Sequence, residues 1–281
     1  MTDLPTAAST QITAIERDAR PLHRKEWVAD RPLRVLILGG TSEAAEIAAR
    51  LAGRPDLALT YSLAGRTDQP KVPAGEVRIG GFGGVDGLIA YLTSEEIDFV
   101  LDATHPFAAK MSLNAEAACN HLGLPLIALS RPTWAKSQGD RWHEVPDIES
   151  AATNVAKSCG RIFLAIGRQH VDAFTSCTAA SFLIRSIDRP ASPLPSNAQV
   201  ILERGPFYLE HEIQLLRQHA ISIIVSKNSG GTATYAKIQG ARILGIPVVM
   251  VNRPEKHTRP TFAKVDLVLA ELDRLIEEVS L

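Results

Sequence analysis

The sequence is poor in the residues that tie a chain to a special environment. Cysteine occurs three times in 281 residues, at Cys119, Cys159 and Cys177. An odd, scattered set without CxxC or Cys/His ligand spacing argues against a disulfide framework, no metal is expected, and a reducing compartment fits best. Charge of one sign is also missing, because the formal net charge is −1. Without a basic excess no whole face attracts polyphosphate, so nucleic acid is not an expected partner and any anionic ligand must be met by local arginines. No apolar run reaches the roughly 18 residues of a spanning helix, and residues 1–30 lack the apolar stretch of a signal peptide. The expectation is a cytoplasmic protein that does not engage a membrane. Residues 1–30 alternate Arg17, Arg20, Arg24 and Lys25 with Glu16, Asp18, Glu26 and Asp30, and read as a solvated tail without an assigned function.

What is present is an ordinary globular composition, 45% apolar and 22% charged, in a chain long enough for roughly two domains. From Arg34 onward, short β-rich runs alternate with longer amphipathic segments, the pattern of a parallel sheet flanked by helices. It predicts strands near 34–38, 57–63, 76–79, 98–102, 125–129, 161–166, 181–185, 199–203, 221–226 and 247–251. Helices are predicted over 42–53, 84–93, 108–122, 148–158, 207–219, 232–244 and 265–279. Two echoes divide the chain: LRVLILGG (33–40) matches GRIFLAIG (160–167), and GLPLIALSRP (123–132) matches GIPVVMVNRP (245–254). Together they predict an α/β protein of two Rossmann-like domains, each a mainly parallel sheet with flanking helices, and an active site in the cleft between them. The expected limits are 1–30 for the tail, 31–135 for a nucleotide-binding domain and 136–281 for a second domain, with Pro132, Gly139 and Pro146 breaking periodicity at the join. Similar halves offer similar sheet edges, so strand exchange between them stays open.

Four strings carry candidate chemistry in the first half. LILGGTSEAA (36–45) is a strand, a glycine turn and a helix start, in which Gly39, Gly40, Thr41, Ser42 and Glu43 form a phosphate cradle: glycine admits close approach and helix N–H groups favour an anion. It lacks the second spaced glycine of GxGxxG, so a capped strand–turn–helix is the plain alternative. TYSLAGRT (60–67) puts Arg66 and Thr67 where an NAD-binding fold carries an acid on the ribose, a substitution that suits the 2′-phosphate of NADPH. In VRIGGFGG (77–84), Gly81, Phe82 and Gly83 either pass close to the cofactor or form only a turn. VLDATHPFAA (100–109) delivers Asp102, Thr104 and His105 to the carboxyl edge of the sheet, where such folds bind ligands. A histidine there positions the nicotinamide, binds substrate, donates a proton, or is structural.

The second half has no comparable cradle. Its strand ends carry Arg168, Arg185, Arg189, Arg204, Ser226, Lys227, Asn228, Ser229, Gly230, Gly231 and Arg253, a set suited to a ligand with several carboxylates. A short-chain dehydrogenase would need Tyr-x-x-x-Lys, and Tyr235-Ala236-Lys237 has the wrong spacing. A nucleotide sensor without turnover would leave the basic strand ends idle.

The strings GGTSEA (39–44), SLAGRT (62–67), DATHPFA (102–108), SRPTW (130–134) and SKNSGG (226–231) occur in an order that resembles the precorrin-6A reductase family, over residues 34 to about 256. The resemblance implies reduction of the C18=C19 double bond of precorrin-6A to precorrin-6B in cobalamin biosynthesis. It implies NADPH on Gly39 to Glu43 and Arg66-Thr67, with Gly81, Phe82, Gly83 and Thr104 lining the same site. His105 and Lys227 become candidate catalytic residues. Arg131, Arg168, Arg185, Arg204, Ser226, Asn228, Ser229, Gly230 and Arg253 would bind the polycarboxylate tetrapyrrole. The metal-free and cobalt-containing substrates stay open alternatives, as does product transfer to neighbouring corrin-pathway enzymes.

Overall fold

A computed structural model of the chain describes residues 31–65, 75–256 and 261–280. Arg66 and Thr67 lie outside the described residues, as do 1–30.

The first half begins with β1 (Leu33–Leu38), α1 (Ser42–Leu51), β2 (Leu57–Leu63) and β3 (Glu76–Ile79). It continues through α2 (Gly84–Ser94), β4 (Phe99–Asp102), α3 (Ala109–Leu122) and β5 (Leu126–Ala128). Its five strands are parallel in the order β3-β2-β1-β4-β5. Alternation along β1 explains the two layers. Val35 and Ile37 pack in one core with Ile47, Leu51 and Phe99, whereas Leu36 and Leu38 pack on the other face with Leu88, Leu92 and Ala115. A strand buried on both faces reads as the continuous apolar run seen in the sequence.

The second half contains β6 (Trp142–Val145), α4 (Ile148–Val155), β7 (Gly160–Ala165) and a 3-10 turn (Val171–Phe174). It goes on through β8 (Ala180–Ser186), β9 (Ala198–Leu202), α5 (Leu209–Gln218), β10 (Ile221–Lys227), α6 (Ala236–Leu244) and β11 (Val248–Val251). The six-stranded order is β6-β11-β10-β7-β8-β9, all parallel. Apart from β6, this is the strand order of the first sheet. The two sequence echoes fall on corresponding strands, β1 with β7 and β5 with β11. Gly123 and Gly245 are corresponding left-handed helix ends at φ +66° and +67°, a backbone region that favours glycine.

Two expectations need correction. Strand β6 was not foreseen; it sits at the edge beyond β11. Helix α7 (Val265–Ser280), placed with the second half by the sequence, packs Val265, Val268, Leu269, Leu272 and Leu275 into the first half's core. Phe262 bridges to Leu129 beyond β5, so the chain returns to the first sheet after completing the second. Among the described residues no helix is long and apolar enough to cross a membrane.

Candidate active site

In the first sheet the strand order reverses between β1 and β4, and the crevice at their carboxyl ends is the topological site for a ligand. Leu38 lies level with Ser62 and Asp102, so the turns after β1, β2 and β4 open at one height. The turn after β3 joins them, because the Gly80 amide donates to the Leu63 carbonyl at 2.8 Å.

Tyr61 shapes the first turn from below. Its hydroxyl accepts the Gly40 N–H at 3.2 Å, and a Cβ on Gly39 would stand 2.4 Å from its ring. Gly39 is therefore required by contact, whereas Gly40 is required by its φ of +104°. Thr41 caps α1. Its Oγ1 accepts the Ala44 N–H at 3.1 Å and donates to the Ala103 carbonyl at 2.7 Å, fastening the cradle to the end of β4. The Ser42 hydroxyl bonds Glu43 at 3.0 Å. Across the crevice, Arg78 donates to the Gly80 and Gly81 carbonyls at 2.6 and 2.8 Å while stacking 3.8 Å from the Phe82 ring centroid. That guanidinium stiffens the third turn, in which Gly83 has φ +84°.

The turn after β4 is a buried polar knot. Asp102 accepts from the Thr104 N–H at 2.9 Å and from its hydroxyl at 2.6 Å. Lys256 Nζ donates to Thr104 Oγ1 at 3.0 Å and lies 3.9 Å from Asp102. His105 Nδ1 accepts the Phe107 N–H at 3.2 Å, which assigns the ring proton to Nε2. Burial and the surrounding cations Arg131, Lys227, Lys256 and Arg253 bring the imidazole down to about 3. The ring is neutral at physiological pH, which removes an imidazolium from the candidate proton donors.

Where the carboxyl edges of the two sheets meet, the predicted residues divide. Arg131, after β5, bonds Glu43 at 2.6 Å and the Ser229 carbonyl at 2.8 Å, tying the cradle to the second half. Burial raises the Glu43 carboxyl, but Arg131 outweighs it and holds the group below the usual carboxylate range. Arg253, the matching residue after β11, donates to the Asn228 and Arg131 carbonyls at 2.8 and 2.6 Å. Gly230 fits beneath it: at φ +64°, a Cβ there would stand 2.0 Å from the Pro132 carbonyl oxygen. Asn228 clamps Trp134, accepting its N–H at 2.8 Å and donating to its carbonyl at 3.1 Å. Lys227 Nζ stands 5.3 Å from the Phe107 ring, on the His105 side of the crevice.

Other predicted residues are elsewhere. Arg185 is buried in a bidentate pair with Glu212, over Phe207, and is not presented to a ligand. Its position in β8 explains the difference, because Arg185 points inward between helix and sheet. Ser226 is buried inside β10. Arg168 stands 3.8 Å from Asp188, and Arg204 is exposed beyond β9. The sequence reading overlooked Lys256 and Tyr61. NRPEK (252–256) reads as solvated loop, and Tyr61 as a strand aromatic, so neither carried a signal.

Comparison with known proteins agrees with this geometry. The family model for precorrin-6x reductase CbiJ/CobK matches residues 34–273. A precorrin-6A reductase of Rhodococcus erythropolis is 49% identical over 79% of this chain and 89% of its own length. One of Rhodobacter capsulatus is 44% identical over 85% and 95%. A solved CobK precorrin-6A reductase superposes with a TM-score of 0.81 at 43% identity, covering 86% of this chain and 96% of that one. A cobalt-precorrin-6A reductase of Priestia megaterium is 26% identical over 79% and 91%. With strand order, cradle and sequence in agreement, the chain belongs to the precorrin-6A reductase family.

Proposed function

We propose that the chain uses NADPH to reduce the C18=C19 bond of metal-free precorrin-6A, giving precorrin-6B, with the reaction centred on the crevice beside His105. The observation that carries this reading is the convergence of Gly39-Gly40, the Gly80–Gly83 turn and the Thr104-His105 turn at the switch point of one parallel sheet. A dinucleotide fits these residues: glycine at 39 is enforced by Tyr61, and α1 presents its amino end where a pyrophosphate would be stabilised. Arg66 and Thr67 would take the 2′-phosphate.

When bound, the nicotinamide supplies a hydride to the macrocycle. The protein's contribution is to hold two flat rings in register and exclude water between them. Neutral His105 offers a hydrogen bond from Nε2 without adding charge. The Lys227 ammonium supplies the proton at C18, and Arg168 and Arg204, which follow β7 and β9 and lie outside the junction, receive acetate and propionate arms. Relatives at 44% identity or more carry the metal-free substrate in their names, whereas those at 25–26% are named for cobalt-precorrin-6A, which favours the metal-free substrate. Three scattered cysteines, none of them in a disulfide, suit a cytoplasmic site of action. The product would pass to a neighbouring enzyme of the pathway.

Fluorescence titration with NADPH and NADH tests the cofactor half of the proposal. Wild type should prefer NADPH, and Arg66→Ala should lose about 1.5–3 kcal/mol of that preference. Equal affinity for both nucleotides in wild type would overturn the choice of NADPH.

A further inference from the structure

The segment leaving β11 crosses from the second sheet back to the first, and two of its cations dock on backbone carbonyls along the way. Arg253 binds carbonyls on both sides of the junction. Lys256 penetrates further. It is 9% exposed, and its Nζ reaches Thr104 Oγ1 at 3.0 Å and the Thr104 carbonyl at 3.3 Å. Both acceptors belong to the residue before His105, and that carbonyl is part of the peptide bond linking the two.

The rest of the knot leaves Thr104 little freedom. Its hydroxyl lies 2.6 Å from Asp102 and 3.3 Å from Ser112 of α3, and its N–H is held by Asp102. Asp102 is 1% exposed and Ser112 fully buried. A buried carboxylate needs a nearby cation and donors. Lys256 is the cation at 3.9 Å, and it comes from the other side of the molecule in sequence, 154 positions from Asp102. Without it, the Thr104 carbonyl would lose a charged donor, and the Thr104–His105 peptide would keep its hold on the Asp102 side but lose it at the carbonyl. The imidazole would shift with it, since the bond to its Nδ1 comes from the Phe107 N–H two residues on along the same turn.

We infer that Lys256 is a positioning residue for the reduction: by gripping Thr104 it fixes the direction in which His105 Nε2–H faces the crevice, and it makes that direction depend on how the two halves are joined. Its importance to turnover rests on the role proposed for His105; its effect on the imidazole does not.

The test uses the full-length protein with 15N-labelled histidine, comparing wild type, Lys256→Met, Lys256→Arg and His105→Ala, which assigns the His105 signals. Wild type should show one sharp Nε2–H tautomer at His105. Lys256→Met should broaden or shift it, and Lys256→Arg should restore it in part. In steady-state assays, Lys256→Met should lower kcat at least tenfold while leaving KM for the nucleotide within about twofold. Adding His105→Ala to Lys256→Met should cost little more. Should Lys256→Met prove too unstable, Lys256→Gln, which keeps a polar but uncharged end, gives the same spectral readout. If the His105 signals of a folded Lys256→Met or Lys256→Gln variant superimpose on wild type, the inference is overturned. If those signals move but His105→Ala alone leaves turnover unchanged, Lys256 still positions the ring and it is the catalytic reading of His105 that fails.

Discussion

The two sheets share a strand order but use their carboxyl edges differently. In the first, the turns after β1 and β3 are rich in glycine and the turn after β4 carries Thr104 and His105, and they are held by Tyr61, Arg78 and Asp102, which leaves this edge as the candidate place for a ligand. In the second, much of the edge is spent on the molecule itself. Asn228, Gly230 and Arg253 join the halves by meeting Arg131, Pro132 and Trp134 of the segment after β5, and Arg185 is consumed by Glu212. A repeated scaffold can thus divide labour: one copy keeps its switch point free, while the other supplies the junction and a smaller set of cations.

The sharpest way to break this comparison is Arg185→Met. If Arg185 serves packing, removal leaves Glu212 buried without its partner and costs about 3–5 kcal/mol in denaturant unfolding, with nucleotide affinity unchanged. A weakened KM for the macrocycle at intact stability would instead return Arg185 to the ligand.

A second contrast lies in pH. Among the bases whose proton affinity is depressed, two divide between the halves: His105 at about 3, from burial and nearby cations, and Lys237 at about 7, from burial and then Arg185, against the opposing pull of Glu212. For both, the unfolded chain binds a proton that the folded chain does not, between the folded value and the ordinary one. Stability therefore rises with pH across that window. The window runs from about 3 to 6.5 for His105 and from about 7 to 10.5 for Lys237. His105→Gln should flatten the acid limb of the stability curve and Lys237→Met the alkaline limb, each leaving the other in place. Curves parallel to wild type in both variants would show that neither base is held neutral.

The smallest effect separates the halves most cleanly. Thr41 and Asp147 both cap helices, accepting from Ala44 and Ser150 at 3.1 and 2.7 Å. Alanine at either should cost about 1 kcal/mol of stability. Only Thr41→Ala should also weaken nucleotide binding in titration, because only that cap belongs to an open cradle.

How far the sequence foretold these differences depended on whether the signal was local. The apolar runs of β1 and β7, and the Gly-Pro-strand-Arg-Pro echo on β5 and β11, showed two similar halves because buried parallel strands write themselves as continuous apolar segments. Thr41 was legible as a cap for the same reason, its partner being three residues away. Strand β6 was not: in WHEV only Trp142 and Val145 are buried, and an edge strand needs no more. The fates of Arg185 and Lys256 were hidden because their partners lie 27 and 152 residues away, and a cation's burial is decided by what folds over it.

Helix α7 gives the molecule a further property. Because residues 265–275 complete the core under β1, everything from β6 to β11 is an insertion within the first half. On the ribosome, the cradle around Gly39 cannot close its hydrophobic underside until more than two hundred further residues have been made, so the inserted half is free to fold first. A chain cut after β11 would keep every candidate nucleotide contact yet lack the wall behind them. Competence for a nucleotide at this cradle is then acquired late in synthesis, after the inserted half has been made.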